Sequence, residues 1–409
     1  MTLDLRGHFT EFRAAQPGRI HLAAHSHHFW PDAACAAHRR ALADAARLAD
    51  NKWEIIFGEL IPRAQRGVAA VLGLPDPATI AFAPNTHDFV RRLISALPAG
   101  ATPRILTSDS EFHSFTRQIA RLEEDRLATV ERIAAEPFAS FAERFAAAAR
   151  RGGHGLVFVS QIFFNSAGAC GSLDAIAAAV RDPQTLVVFD GYHGFMALPT
   201  ALAGNADRAF YLAGGYKYAM AGEGVCFMHC PGGFAMRPRD TGWFAAFGAL
   251  EAGGGANVAY GKDGTRFMGA TFDPTGLYRL AAVFDWMKAI GLTVDAIHDH
   301  ALALQDLFRA EIARAKVKPI CDARLVTPVA AGSTRGHFLT FELANAQAIH
   351  DRLARANIVT DVRGERIRFG FGCYHTAEEI EAAVAAIARE AIVDRLRVRQ
   401  FKGEEMPAG

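Results

Sequence analysis

The sequence has almost no excess of either charge. Its 409 residues carry 44 Lys and Arg against 43 Asp and Glu, a formal net charge of +1. That balance removes the basic footprint that nucleic acid or an anionic membrane surface demands. No apolar run reaches the roughly 18 residues of a membrane span, although 51% of the chain is hydrophobic. The opening MTLDLRGHFTEFRAA lacks the basic-then-apolar pattern of a secretory leader. Cysteines are few and scattered: Cys35, Cys170, Cys226, Cys230, Cys321 and Cys373. The 226/230 pair has no second pair to complete a zinc site, so no metal centre and reduced cytoplasmic thiols are expected. Repeats and low-complexity linkers are missing too. What remains is an ordinary enzyme composition on a chain long enough for two domains.

Short apolar runs alternate with Ala-rich helical stretches. TIAFAPN (79–85), RILTSDS (104–110), LVFVSQIFF (156–164), TLVVFDGY (185–192) and RAFYLAGG (208–215) read as buried strands, and GVCFMHC as one more. FVRRLISAL and LDAIAAAVR lie between them as helices. This alternation predicts an α/β fold, a mostly parallel sheet sandwiched by helices. From about Leu280 the texture changes. The long helical LAAVFDWMKAIG leads into DAIHDHALALQDLFRAEIARA, and HFLTFEL and RIRFGF then alternate with helices. The predicted organisation is an N-terminal segment (1–20), a large domain (21–284) and a smaller C-terminal α/β domain (285–409).

Ligands of open α/β sheets bind at the carboxyl ends of the strands. The loops there hold Asn85-Thr86-His87, Glu111-Phe112-His113, Asn165-Ser166, Asp190 to His193, and Tyr216-Lys217. Lys217 sits in GGYKYAMAGEG, crowded by glycine and tyrosine. A solvated lysine needs no such setting, whereas a lysine in covalent chemistry needs a dry pocket that lowers its pKa. Asp190 follows four apolar residues. It either caps the next turn or faces a protonated heteroaromatic nitrogen, because an unpaired buried carboxylate is costly. Thr86 and His87 open a helix, which suits a phosphate but equally fits plain capping by Asn85 or Thr86. Phe112 is either core or a platform for a ligand ring.

SEFHSF, VFDGYHGFMALP, LAGGYKYAMAGEGVCFM, GWF, GATFDPTGL and RIRFG together resemble the fold-type I pyridoxal-phosphate enzymes of aminotransferase class V, most closely the kynureninase-like branch. The resemblance covers nearly the whole chain. It implies that pyridoxal 5'-phosphate is held as a Schiff base by Lys217, with Asp190 on the pyridine nitrogen. His193 would orient Asp190 or a cofactor oxygen. Phe112 would stack on the ring, and Thr86, His87 and the Tyr216 hydroxyl would hold the phosphate. Thr271 matches a threonine that reaches the phosphate from the neighbouring subunit of a homodimer. Trp243 matches an active-site tryptophan and counts among the cofactor contacts. Arg368 matches the arginine that clamps the substrate carboxylate, with Arg366 and Arg363 as alternatives. His25 and Ser26, in AAHSHHF, fall at the substrate.

The implied reaction acts on a small-molecule amino acid. Its amine displaces Lys217, which then removes the Cα proton as general base. Amino transfer is expected, with kynureninase-like hydrolytic Cβ–Cγ cleavage as the alternative. The segments at His25–His28 and after Trp243 depart from the kynureninase pattern, and hydrolysis makes its extra demands there. A rival from another class is a metal-dependent amidohydrolase built on the His25-x-His27 pair.

Overall fold

A computed structural model of the chain describes residues 3–100, 102–234, 236–246 and 257–402, the last twelve as backbone only. The strands are β1 (Ile20–His21), β2 (Ile80–Ala83), β3 (Arg104–Ser108), β4 (Thr129–Ile133), β5 (Leu156–Ser160), β6 (Leu186–Asp190), β7 (Ala209–Gly214), β8 (Cys226–His229), β9 (Arg324–Leu325), β10 (Phe338–Glu342), β11 (Ile358–Val359), β12 (Asp361–Arg363) and β13 (Arg366–Gly370). The helices are α1 (Thr10–Ala14), α2 (Asp32–Leu48), α3 (Lys52–Ile55), α4 (Ile61–Leu72), α5 (Thr86–Ala96), α6 (His113–Glu124), α7 (Phe138–Arg150), α8 (Leu173–Ala179), α9 (Thr275–Ala289), α10 (Val294–Arg314), α11 (Ala346–Arg355) and α12 (Ala377–Lys402). Among the described residues no helix is long and apolar enough to cross a membrane.

Seven strands form the main sheet in the order β2-β8-β7-β6-β5-β3-β4. Only β8 runs against its neighbours; the pairs among the other five adjacent strands are parallel. Every residue of β5, β6 and β7 is buried. That explains their unbroken apolar runs, since helices cover both faces of such a sheet. The alternating reading of strand and helix therefore gives the right fold. The run from Leu156 to Phe164 is shorter than expected. The strand stops at Ser160, and the chain then turns back through an isolated bridge between Ile162 and Ala169.

A second sheet, β12-β13-β10-β9, is antiparallel. Its core joins Leu304, Phe308 and Ile312 of α10 to Leu339, Phe341, Ile367 and Phe369. Leu22 belongs to that core, and β1 pairs with β11 in parallel. The segment just after residue 20 thus packs with the C-terminal unit. It then runs through Ala23, which bridges Gly370, into the large unit.

Candidate active site

Lys217 lies in the turn between β7 and β8, and its glycines have a packing reason. A Cβ on Gly214 would come within 2.1 Å of the Tyr192 hydroxyl, and one on Gly215 within 2.6 Å of the Gly222 carbonyl. The turn is pinned from outside. The His28 amide donates to the Tyr216 carbonyl (3.0 Å), the Tyr218 hydroxyl donates to the His337 carbonyl (3.0 Å), and Arg279 from α9 donates to the Ala221 carbonyl (2.5 Å). Lysine is therefore presented on a rigid loop rather than on a mobile one.

The Lys217 side chain is buried. Its Nζ lies 2.8 Å from His193 Nε2 and 4.8 and 5.2 Å from the ring centroids of Tyr192 and Phe112. Among the described residues no carboxylate stands within ion-pair distance of it. Burial holds its pKa well below that of an ordinary lysine, and the nearby Asp190 charge offsets only part of this. The same burial pushes Asp190 up and His193 far down. Desolvation is thus the dominant cause at all three groups, and it favours a neutral amine beside a neutral imidazole.

Asp190 ends β6, where its Oδ1 accepts the Tyr192 amide (2.9 Å). Asn85 caps α5 in extended geometry, its Oδ1 accepting the Asp88 amide (2.9 Å). This leaves Thr86 and His87 in the first turn, and His87 Nδ1 is buried without a partner. One cavity of about 550 Å³ brings Thr86, His87, Phe112, Asp190, His193, Tyr216 and Lys217 together. It offers an aromatic platform, a buried carboxylate, an amine able to act as nucleophile and a helix start. That set fits a flat heteroaromatic ring with a cationic nitrogen and an anionic substituent.

The remaining site residues lie elsewhere. Arg368 is buried behind Phe164, donating to the Phe164 carbonyl and to Asp361, and its Nε is unpartnered. Arg363 also pairs with Asp361 (2.8 Å), and Arg366 with Glu136 and Glu342. All three arginines are thus engaged by acids, and none lines the cavity. His25 is fully buried, stacked on Phe338 at 4.6 Å, with Nε2 3.6 Å from Asp361. His27 is exposed and faces Glu223. The two rings therefore diverge, and no cluster of three or more metal-binding side chains occurs among the described residues. That geometry removes the basis of the amidohydrolase reading. Ser26 bonds His27 (3.2 Å) outside the cavity. Trp243, 45% exposed and stacked on Phe244, and the exposed Thr271 also lie outside the cavity of their own chain.

Several residues at the site have no assigned role in the sequence reading. Glu111 is buried and accepts from Ser108 Oγ (2.5 Å), Ser160 Oγ (2.5 Å) and the Ser160 amide (3.0 Å). It ties the end of β3 to the end of β5 beside Phe112. Burial raises its pKa to about 7. Ser160, Tyr192, Arg117 and Gln118 line the cavity as well. The signal for Glu111 and Ser160 was available: each is a polar residue at or just past the carboxyl end of an apolar strand.

The family model for aminotransferase class V matches residues 40–383. A probable cysteine desulfurase of Vibrio cholerae is 27% identical over 232 residues, 53% of each protein, so the match spans about half of that relative. Among solved structures, a C-DES mutant with glycine covalently linked to its PLP cofactor superposes with a TM-score of 0.77 at 18% identity, covering 94% of this chain and 99% of that one. An apo cysteine desulfurase from Thermococcus onnurineus gives 0.73 at 16% identity, covering 92% and 95%.

Proposed function

The chain belongs to the aminotransferase class V family, and on that premise we propose that it moves the amino group of an amino acid to an acceptor. The cofactor is pyridoxal 5'-phosphate. Lys217 would hold it covalently, with Phe112 along the ring, Asp190 at the ring nitrogen and the start of α5 with His87 at the phosphate. When bound, the cofactor draws electrons from the substrate Cα and so acidifies its proton.

The observation that carries the reading is the Lys217 amine, desolvated and 2.8 Å from His193. Once free, its Nζ has a lone pair to accept the Cα proton. The His193 ring steers that amine by accepting its N–H. A carboxylate at Asp190 favours a cation opposite it, and the dry cavity strengthens that attraction. Proton removal and return by Nζ are all that amino transfer asks of the protein beyond binding and access of water.

A lyase acting on a sulfur amino acid is the second reading, favoured by the names of the relatives and neighbours above. A desulfurase that takes sulfur on its own cysteine needs a reactive thiolate at the cavity. Cys226 lies behind Tyr192, its sulfur 3.6 Å from the hydroxyl, and burial pushes its thiol up to about 12. Cys373 is packed 3.7 Å from the Met220 sulfur, with its thiol also pushed up to about 12. Among the described residues no cysteine lines the cavity. The proposed assembly is a homodimer, because Trp243 and Thr271 are exposed and outside their own cavity.

The test is a single-turnover reaction of cofactor-loaded protein with an amino acid and no acceptor. Release of the 2-oxo acid without ammonia supports transfer. Ammonia with sulfide, or alanine with a carboxylic acid, would replace it by the lyase or the hydrolytic reaction.

A further inference from the structure

Phe338 opens β10 in the small unit, yet its side chain packs in the core of the large one. Leu339 and Phe341 of the same strand pack in the small unit's own core. Strand alternation accounts for the split, since successive side chains point to opposite faces of a sheet. Phe338 is thus a side chain that the small unit sends across the junction.

Its ring is fully buried. It stacks on the imidazole of His25, with centroids 4.6 Å apart and planes 20° from parallel. It also leans on the imidazole of His193, at 5.5 Å and 48°. Gly370, opposite Phe338 in the sheet, leaves room for this packing: a Cβ there would come within 2.1 Å of His25 Nδ1. Neither His25 nitrogen has a hydrogen-bond partner, so that ring serves as a flat filler backing Phe338. His193 needs such backing. Among the described residues its ring hydrogen-bonds one side chain, Lys217. A single such bond does not fix a ring that can turn about its side-chain torsions, so its orientation comes from packing.

We propose that Phe338 is a positioning residue for the Lys217 base, acting through His193: the small unit uses this ring to hold the imidazole against which Nζ is set. The proposal rests on Lys217 being the reacting amine, and it ties that amine to the unit that contributes no wall to the cavity.

The test needs neither cofactor nor substrate. Cofactor-free protein is treated with acetic anhydride over a range of pH, and acetylation of Lys217 is followed by peptide mass, because only the neutral amine attacks. Burial lowers the Lys217 pKa most; Asp190 and Asp361 oppose it, and Arg368 and Arg363 add to it. Phe338→Leu alters none of these charges. It keeps an apolar side chain but removes the flat face, so the imidazole can turn and water reach Nζ. The labelling midpoint of Lys217 should then rise by about one pH unit. Phe341→Leu, on the opposite face of the same strand, removes a buried ring from the small core instead and should leave the midpoint in place. In a His193→Gln protein, Phe338→Leu should shift nothing further, since the ring it supports is gone. An unchanged midpoint in Phe338→Leu would overturn the proposal. So would an equal shift from Phe341→Leu, which would mean general loosening, or the same shift in the His193→Gln background. If Lys217 of the unaltered protein labels with the midpoint of an ordinary lysine, the reading of Lys217 as the base falls and the proposal with it. A low midpoint that Phe338→Leu leaves alone sinks the proposal only.

Discussion

Lys217 serves as a base only when its amine is neutral, and the cavity makes it so by excluding water. The rate of Cα deprotonation, followed by exchange of the Cα proton with deuterated solvent, should therefore rise with pH and level off well below the ordinary lysine range. Lys217→Ala should lower it by about 10² to 10⁴ without unfolding the protein, because removal of a desolvated amine costs the fold little. Borohydride reduction of the loaded protein followed by peptide mapping checks the assignment: a label on any other lysine would refute it. Glu111 permits a different measurement, one made without cofactor. Its ordinary value of 4.5 is raised by burial to about 7. Between those values the folded state keeps a proton that the unfolded chain has lost, so stability falls as pH rises across the window and is flat above it. The loss amounts to about 3 kcal/mol at most. Glu111→Gln cannot titrate, so the variant should gain on the parent in urea denaturation from pH 4.5 to 7. A constant difference across that range would show that Glu111 stays ionised.

Elements that are buried on both sides were readable as continuous apolar runs, which is why β5, β6 and β7 could be found. Their ends were readable for a related reason: Asp190 and Ser160 break such runs where the sheet meets its ligand edge. β4 escaped notice because TVERI lies at the sheet edge, half exposed, and its charges mask the strand pattern. β1, β9, β11 and β12 have two or three residues each, too few for any period to register. The hairpin of β12 and β13 hid a cross-strand partner. Gly364, at φ +57°, allows the tight turn, and the resulting register sets Asp361 opposite Arg368. Arg368 therefore comes with its own acid, which the motif RIRFG alone does not reveal. Asp361→Asn leaves that buried cation uncompensated and should destabilise the fold by about 3 kcal/mol, read from the urea midpoint. Adding Arg368→Met should recover part of the loss. A double variant less stable than the single one would mean that the pair is not the source.

At the scale of the whole molecule, the described residues that wall the cavity all come from the large unit. Arg368 and His25 stand just behind it, at the junction of the two units. Trp243 and Thr271 face outward on the same chain. If Thr271 serves the cavity of a second copy, the two halves of the chemistry can be separated by mixing subunits. Lys217→Ala removes the base of its own cavity. Thr271→Asp sets a negative charge where the partner's cofactor phosphate lies, and like charges in a dry site repel strongly. Each variant alone should be inactive. Unfolding and reassembling them together yields mixed dimers. In these, one cavity carries both lesions. The other keeps Lys217 from one subunit and an intact Thr271 from its partner, so activity should return on mixing. Were Thr271 to act within its own subunit, each cavity of a mixed dimer would carry one lesion, and none would recover. The same mixture measured by sedimentation establishes that dimers formed, so failure to regain activity in a dimeric sample would rule out the shared site. Where the dimer does form, binding of cofactor to such a site must be linked to assembly, and dilution should weaken both together.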